Sequence, residues 1–352
     1  MERRIEVAVV GGGIMGLAAT RALARAGRQV TCFEQFRIGH TRGSSHGTSR
    51  IFRLAYEDPE YAQSAGEALP LWRDLERESG EQLLHTTGSL DVGGDLEGFH
   101  TALAGAGVDA QMLEADDMRR RFPTLRLPDD IALFHAEGGV LHADRAAAAF
   151  ARSAHAHGAE IAQETRVESL DRTERGVLLE TSGGTVVARA AVVAAGAWVR
   201  DLVDELPVNV TRETVAHFRL AQDGLPTVID HEQPEIPVPL AHQATYALAS
   251  PGIGLKVGVH RSGAPADPGK DGAPDRPVLD ALVRWTRERY ELLEPGPAFV
   301  ETCLYTSTED ERFLVERRGP IVVCSACSGH GFKFAPTLGK RLQMLTEEAL
   351  AD

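Results

Sequence analysis

Ile5-Glu6-Val7-Ala8-Val9-Val10-Gly11-Gly12-Gly13-Ile14-Met15-Gly16 runs from a mostly apolar stretch directly into a cluster of glycines. An apolar run of that length ending in glycine reads as a buried parallel strand. Ile14, Leu17, Ala18, Ala22 and Leu23 then lay an apolar stripe at helical spacing, and Gly27 fits a helix stop. Gln29-Val30-Thr31-Cys32-Phe33-Glu34 reads as the next strand, so the chain opens as a βαβ unit with a right-handed crossover. Gly11, Gly13 and Gly16 have the spacing of the dinucleotide fingerprint. The first permits a tight turn, the second lets the backbone approach a pyrophosphate, and the third lets helix and strand pack closely. Free amide hydrogens at the helix N-terminus suit phosphates. Glu34 is placed to accept hydrogen bonds from ribose hydroxyls and would repel a 2′-phosphate, which disfavours NADP. The motif alone does not separate FAD from NAD. Its place at the start of a chain whose other sheet strands are scattered favours FAD.

Those other strands lie far downstream. Residues 143–157 read as an Ala-rich helix stopped by Gly158, followed by a short strand at Glu160-Ile161-Ala162. Residues 177–180 and 185–188 read as a hairpin around Gly183-Gly184, and 190–198 as a buried strand running into a glycine turn. Ile321-Val322-Val323-Cys324 reads as another strand before a glycine loop, and a closing helix spans about 337–350. Between these pieces, residues 211–260 alternate polar and apolar, which predicts antiparallel strands. Residues 264–277 hold Pro265, Pro268, Gly269, Gly272 and Pro274 and read as an exposed loop, with a helix over 278–292. The predicted class is α/β. Residues 1–85, 141–210 and 311–352 form a discontinuous Rossmann-like FAD-binding domain. Residues 86–140 and 211–310 form a substrate domain with a mixed, largely antiparallel sheet and helices.

Composition narrows the function. The 352 residues carry 37 Lys and Arg against 51 Asp and Glu, a net charge of −14. That argues against nucleic acid or an anionic membrane as a partner, while leaving room for a cationic pocket inside an acidic shell. Met1-Glu2-Arg3-Arg4 leads straight into the first strand with no targeting segment, and no apolar run approaches the ~20 residues of a membrane span. Cys32, Cys303, Cys324 and Cys327 are too few for a disulfide framework, so a reducing cytoplasm is expected. The Cys324/Cys327 spacing straddles a strand and a loop without further ligands, so it reads as packing and no metal is expected. His155, His157 and the run Arg119-Arg120-Arg121 read as surface.

Further islands carry a resemblance. They are His46-Gly47-Thr48-Ser49-Arg50-Ile51-Phe52-Arg53-Leu54-Ala55-Tyr56, Thr87-Gly88-Ser89-Leu90, Gly139-Val140-Leu141, Gly196-Ala197-Trp198, Gly254-Leu255-Lys256-Val257-Gly258-Val259-His260, Cys303-Leu304-Tyr305-Thr306-Ser307-Thr308 with Asp310 and Phe313, and Ser328-Gly329-His330-Gly331-Phe332-Lys333-Phe334. In this order, with the glycine fingerprint, they resemble the monomeric sarcosine oxidase and N-methyltryptophan oxidase family of the D-amino acid oxidase superfamily. The resemblance implies an FAD-dependent oxidase of a secondary amino acid: N-methyl, sarcosine-like or cyclic. A hydride passes to flavin N5, and O₂ then becomes H₂O₂. It also implies a monomer whose only partners are a small amine and O₂.

Residue roles follow from the same resemblance. Cys303 carries the flavin covalently through its 8α-methyl group. Lys256 lies above the flavin ring and activates oxygen, since a fixed ammonium stabilises the anion developing on O₂. On its own alternation with Leu255, Val257 and Val259, Lys256 could equally be an exposed strand lysine. Arg53 and Lys333 hold the substrate carboxylate. Arg50 lies close to the flavin, and His260 and Tyr246 line the substrate pocket, making these three and Lys256 the catalytic candidates. Cofactor contacts fall on Gly11, Gly13, Ile14, Met15, Gly16, Glu34, Arg42, Ser45, His46, Val167, Gly196, Trp198, Cys303, Gly329, Gly331, Phe332 and Lys333. The chain is shorter than the family norm around 205–250 and at its C-terminus, so its pocket could admit a larger, cyclic or biosynthetic-tailoring amine. Three rivals stand beside this reading. One is a primary amino acid oxidase of the glycine or D-amino acid type, which Cys303 opposes. Another is a dehydrogenase that avoids O₂. The third is an NAD-binding regulator without turnover, which the cations oppose.

Overall fold

The computed structural model describes residues 2–127, 131–220, 224–231 and 244–352. Arg3–Val10 pairs in parallel with Val30–Phe33 on one side and Gly184–Val193 on the other. Glu160–Ala162 and Ile321–Ser325 extend the parallel set at its two edges. Parallel strands therefore come from three separated stretches of chain. Within Arg3–Val10 the side chains alternate. Val7 and Val9 pack under the helices Ile14–Arg25, Ala143–Ala156 and Ala335–Ala351, while Ala8 and Val10 join Phe33, Val177 and Leu179 on the other face. Gly16 belongs to that helix packing. A Cβ there would run into the carbonyl oxygen of Gly11, as the third fingerprint glycine requires.

Two details differ from the sequence reading. The stretches 185–188 and 190–198 are one continuous strand to Val193, because Arg189 is only an exposed step in an unbroken β pattern. Trp198 lies instead in a short 3₁₀ helix, Gly196–Asp201, entered through Gly196 at φ +53°. The helix predicted over 278–292 spans Arg276–Arg289. Asp275 caps its start by accepting from the Val278 amide at 3.0 Å.

The second sheet is built around Asn209–Phe218. Phe299–Ser307 runs antiparallel along its whole length on one side, and Gly254–Val259 lies on the other. Thr245–Ser250, Thr227–Asp230, Ser89–Val92, Ile131–His135 and Ala110–Glu114 continue outward, the Thr227–Asp230/Ser89–Val92 pair alone being parallel among the described strands of this sheet. Residues 221–223 and 232–243 of the predicted antiparallel region lie outside the described residues. Ala264–Pro265, within the expected loop, pairs with Thr211 and Arg212. Helix Arg276–Arg289 covers the back of this sheet, where Val278, Leu282 and Trp285 pack on Leu255, Val257 and Val259. His155 and His157 are exposed, as are Arg119, Arg120 and Arg121, although the Arg121 guanidinium lies 3.7 Å over the Phe134 ring. Among the described residues no helix is long and apolar enough to cross a membrane.

A long helix, Pro59–Ser79, joins the parallel-sheet layer to the C-terminal glycine loop. Trp72 is its anchor: fully buried, stacked on Phe332 at 6.2 Å and edge-on to Phe150, with its indole N–H donating to the Lys333 carbonyl at 2.7 Å. Trp72→Ala is expected to cost about 3–5 kcal/mol in urea unfolding. Trp72→Phe, which keeps the ring and loses the hydrogen bond, should cost about 1–2 kcal/mol. A Trp72→Phe variant as stable as wild type would remove the Lys333 carbonyl from the account.

Candidate active site

Antiparallel partners that lie directly opposite share a sheet face, and every second residue along a strand does too. His217 faces Lys256 and Phe299, Val215 faces Gly258 and Glu301, and Glu213 faces Cys303. One strand further out, Gly258 faces Tyr246 and Lys256 faces Leu248. The register therefore gathers Tyr246, Leu248, Lys256, Val215, Cys303 and Tyr305 on one face, and all of them line a single cavity of about 630 Å³. The opposite face carries Leu255, Val257 and Val259 into the core. This settles the ambiguity of the alternating strand: Lys256 is 5% exposed and points into the cavity wall. Gly258 must lack a side chain, since a Cβ there would meet the Tyr246 hydroxyl.

The same cavity reaches the start of the chain. Gly11, Gly13, Ile14 and Met15 line it, as do Glu34, Ser45, His46, Val167, Gly196 and Trp198. Gly11 sits at φ +101°, where an added Cβ would stand 2.5 Å from the Ala194 carbonyl oxygen. The Ile14 amide donates to Ser45 Oγ at 3.0 Å, and the buried Glu34 carboxylate accepts from the Gly12 and Phe36 amides. His46 Nε2 is buried with no protein partner among the described residues, and burial, reinforced by Arg50, pushes this imidazole down to about 4. It is therefore neutral and available to a ligand. A glycine-lined helix start, an acid at the end of the second strand and an unsatisfied polar atom farther along suit an FAD molecule lying between them. Arg42 does not line the cavity; its guanidinium lies 5.3 Å over the Phe36 ring. Nor does Gly16, whose role is packing.

The third wall is the C-terminal glycine loop. Gly329 (φ +74°) fits only because it lacks a Cβ, which would run into the rings of Tyr305 and His260. Gly331 leaves the same room for the Ala326 carbonyl. Phe332 and Lys333 then turn inward. Lys333 is 3% exposed and donates at 2.7 Å to both the Tyr56 hydroxyl and the His330 carbonyl. Burial, with Arg53 nearby, drives its ammonium well below the usual lysine range. Arg53 donates to Asp91 at 2.9 Å and lies over the Tyr56 ring at 4.7 Å. Asp91 is fully buried and also bonded to His231 Nε2 at 2.9 Å.

Around Lys256 the contacts are denser than the motifs announce. Its Nζ is 3.2 Å from Glu301 Oε1 and donates to the Ser49 carbonyl at 3.4 Å. Glu301 also pairs with His217 Nε2 at 3.0 Å, and His217 Nδ1 meets Ser250 Oγ at 3.0 Å. Arg50 donates to the carbonyls of Ser44, His46 and Ser49, and its guanidinium lies 5.6 Å over Phe332. Burial, then Arg50, push Lys256 down to about 8, and Glu301 resists them. Burial pushes the half-buried Cys303 thiol up to about 11 against the pull of Arg50 and Lys256. His260 pairs with Glu311 Oε2 at 2.8 Å, and the hydroxyls of Tyr246 and Tyr305 share a hydrogen bond. No group of three or more His, Cys, Asp or Glu side chains among the described residues is arranged to hold a metal. Glu301, Asp91, His217, His231 and Trp72 escaped the sequence reading. Glu301 alone had a legible signal, lying two residues before Cys303 on an extended strand and hence on the same face.

A family model described as FAD dependent oxidoreductase matches residues 6–345. The chain belongs to that family. It is 32% identical over 357 residues to the human protein named peroxisomal sarcosine oxidase, covering 96% of this chain and 91% of that one. It is equally 32% identical to the monomeric sarcosine oxidase of Bacillus sp. (strain B-0618), covering 98% and 93%. The solved structure of NikD, described as an unusual amino acid oxidase essential for nikkomycin biosynthesis, superposes with a TM-score of 0.87. It is 28% identical and covers 98% of this chain and 94% of its own. FAD is thus the cofactor of this oxidoreductase.

Two carboxylates give this site a signature in acid. Burial raises Glu301, but the His217 hydrogen bond and the Lys256 charge outweigh it and hold the group at about 2. Burial likewise raises Glu311, and His260 with Arg261 brings it to about 2. Both have an ordinary value of 4.5. A depressed folded value stabilises the fold above the unfolded value and loses that contribution as pH falls toward the folded one. The urea midpoint is expected to hold above about pH 5 and to fall steeply toward pH 2. It should fall less in a Glu301→Gln/Glu311→Gln double variant, and parallel curves for the two proteins would contradict the pairing.

Proposed function

We propose that the chain oxidises the C–N bond of a secondary amino acid, N-methyl or cyclic, and delivers the electrons to O₂. One observation carries the reading: a single sheet face presents Lys256 and Cys303 to a cavity that also holds Arg53 and the inward-turned Lys333. The sarcosine oxidases among its relatives support the substrate class. FAD, when bound, takes two electrons from the amine and passes them to O₂.

The chain's own residues do the rest. Arg53 and Lys333 grip the substrate carboxylate, one by a planar fork and the other by a point charge. Asp91 fixes the angle of the Arg53 guanidinium and leaves part of its hydrogen-bonding edge to the substrate. Cations around the bound amine favour its neutral form, so a hydride and then the N–H proton can leave without a dedicated base. The resulting imine is hydrolysed to aldehyde and amine, or leaves as a cyclic imine. Holding the C–H bond in line can lower the barrier by several kcal/mol. Lys256 stabilises the charge that develops on O₂ as it accepts two electrons and two protons to become H₂O₂. His260, Tyr246 and Arg50 shape the pocket around the reacting carbon and the ring.

Cys303 is proposed to tether the flavin by an S–C bond at its 8α carbon. Forming that bond would remove one S–H and one C–H hydrogen, with O₂ as the two-electron, two-proton acceptor. We further propose residues 1–85, 141–210 and 311–352 as the FAD-binding domain, 86–140 and 211–310 as the substrate domain, a monomeric state, and a cytoplasmic location. The last accords with four cysteines that remain unpaired.

Anaerobic mixing with an N-methyl or cyclic amino acid is expected to bleach the yellow enzyme. Oxygen should then restore the colour with one H₂O₂ per substrate. Arg53→Met should raise KM for a carboxylate-bearing amine by about 10–100-fold, the worth of one charged hydrogen bond. Turnover of primary amino acids alone, or bleaching that only an artificial dye reverses, would overturn the assignment.

A further inference from the structure

We propose that Glu301 is a positioning residue. Backed by His217, it clamps Lys256 against the cavity wall as an ammonium and so sets the pH range over which electrons reach O₂. The inference rests on the proposed role of Lys256 and extends it to a residue outside the recognised motifs. The geometry comes from three neighbouring strands. Glu301 on Phe299–Ser307, His217 on Asn209–Phe218 and Lys256 on Gly254–Val259 share one face. Glu301 Oε1 accepts from both cross-strand neighbours, Lys256 at 3.2 Å and His217 at 3.0 Å. His217 is fully buried, and its other nitrogen is held by Ser250 Oγ, itself 3.1 Å from Thr48 Oγ1. The carboxylate therefore cannot swing away without stranding a buried imidazole.

The backbone around the cluster is fitted to it. Gly47 lies directly over it at φ +104°. A Cβ there would come within 3.5 Å of Arg50 Nη1, 3.6 Å of Glu301 Oε1 and 3.8 Å of Lys256 Nζ. Its amide is pinned at 2.9 Å by Asp144 from helix Ala143–Ala156. The charged and titratable groups facing Lys256 are thus Glu301, His217 and Cys303 from the sheet, His46 from the segment before the strand Arg50–Phe52, Arg50 from the start of that strand, and Asp144 from the helix. Arg50 opposes the ammonium, and Glu301 is the anion in direct contact with it. Without Glu301 two cations would face each other in a site shielded from water, and the lysine would yield its proton. A neutral amine gives no electrostatic help to the charge forming on O₂.

The test compares Glu301→Gln, Glu301→Asp and Lys256→Met holoenzymes with wild type, reading each half-reaction separately by stopped flow across pH and the flavin midpoint potential by dye equilibration. Glu301→Gln should move the basic limb of the reoxidation profile about 1–3 pH units lower. At pH 8 its reoxidation should be roughly tenfold slower or more, with anaerobic reduction by the amine unchanged. Below the shifted limb, where Lys256 keeps its proton in both proteins, its midpoint potential should rise, because a negative charge in the site is gone. Glu301→Asp, which keeps the charge, should leave both potential and limb close to wild type. A merely structural glutamate would show neither the potential change nor the rescue. A Glu301→Gln profile that superimposes on wild type, while Lys256→Met reoxidises slowly, overturns the role of Glu301 alone. Normal reoxidation of Lys256→Met overturns both this inference and the reading it rests on.

Discussion

The site depends on the register of three antiparallel strands. Asn209–Phe218 is bonded along its full length to Phe299–Ser307 and at its end to Gly254–Val259. That register decides whether Lys256 and Cys303, with Glu301 beside them on the same sheet face, look toward the cavity or into the core under helix Arg276–Arg289. A slip of one residue would send all three to the wrong face. The alternative is costly. Leu255, Val257 and Val259 would lose their packing against Val278, Leu282 and Trp285, and the charges of Lys256 and Glu301 would enter an apolar layer. Hydrophobic burial on one face therefore holds the chemistry in place on the other.

Much of the parallel sheet was legible because each of its pieces carries its own local signal. The run Val7–Val10 with Gly11, Gly13 and Gly16 dictates strand, turn and helix from steric needs that only glycine meets. The Ala-rich helix and the strand beginning at Ile321 were readable from apolar periodicity. The join at Arg189 was misread because one exposed residue in a continuous strand looks the same as a break. For the site, the motif residues Lys256, Cys303, Arg53 and Lys333 stood out by resemblance, and the structure brings them to one cavity. Lys333 between Phe332 and Phe334 was readable on its own terms, as a lysine with nowhere solvated to go. His217, Asp91 and His231 were not legible. Their importance comes from contacts with residues distant along the chain, which no local pattern encodes. Arg42 was carried over by resemblance, and it stacks on Phe36 instead of lining the cavity.

The electrostatics of the pocket are less simple than a set of bare cations. Each cation at the cavity has a counter-charge or an acceptor set: Arg53 has the buried Asp91, Lys256 has the half-buried Glu301, and Lys333 has the Tyr56 hydroxyl and the His330 carbonyl. Burying unpaired charge is expensive; the carboxylates offset that cost for Arg53 and Lys256, whereas Lys333 has only neutral acceptors until a substrate carboxylate binds. These partners also fix side-chain directions, which matters more for catalysis than added charge does. Arg50 is the exception in kind: its fork is spent on the carbonyls of Ser44, His46 and Ser49, so it braces the loop beside Lys256.

The central claim is that the flavin ring lies against this sheet face, at the sulfur of Cys303. Digesting the denatured protein with trypsin and locating flavin fluorescence among the peptides tests it most directly. The account predicts a fluorescent peptide that contains Cys303 and carries the mass of one FAD bound through sulfur. Flavin released free, or found on a peptide holding Cys324 or Cys327, would contradict it.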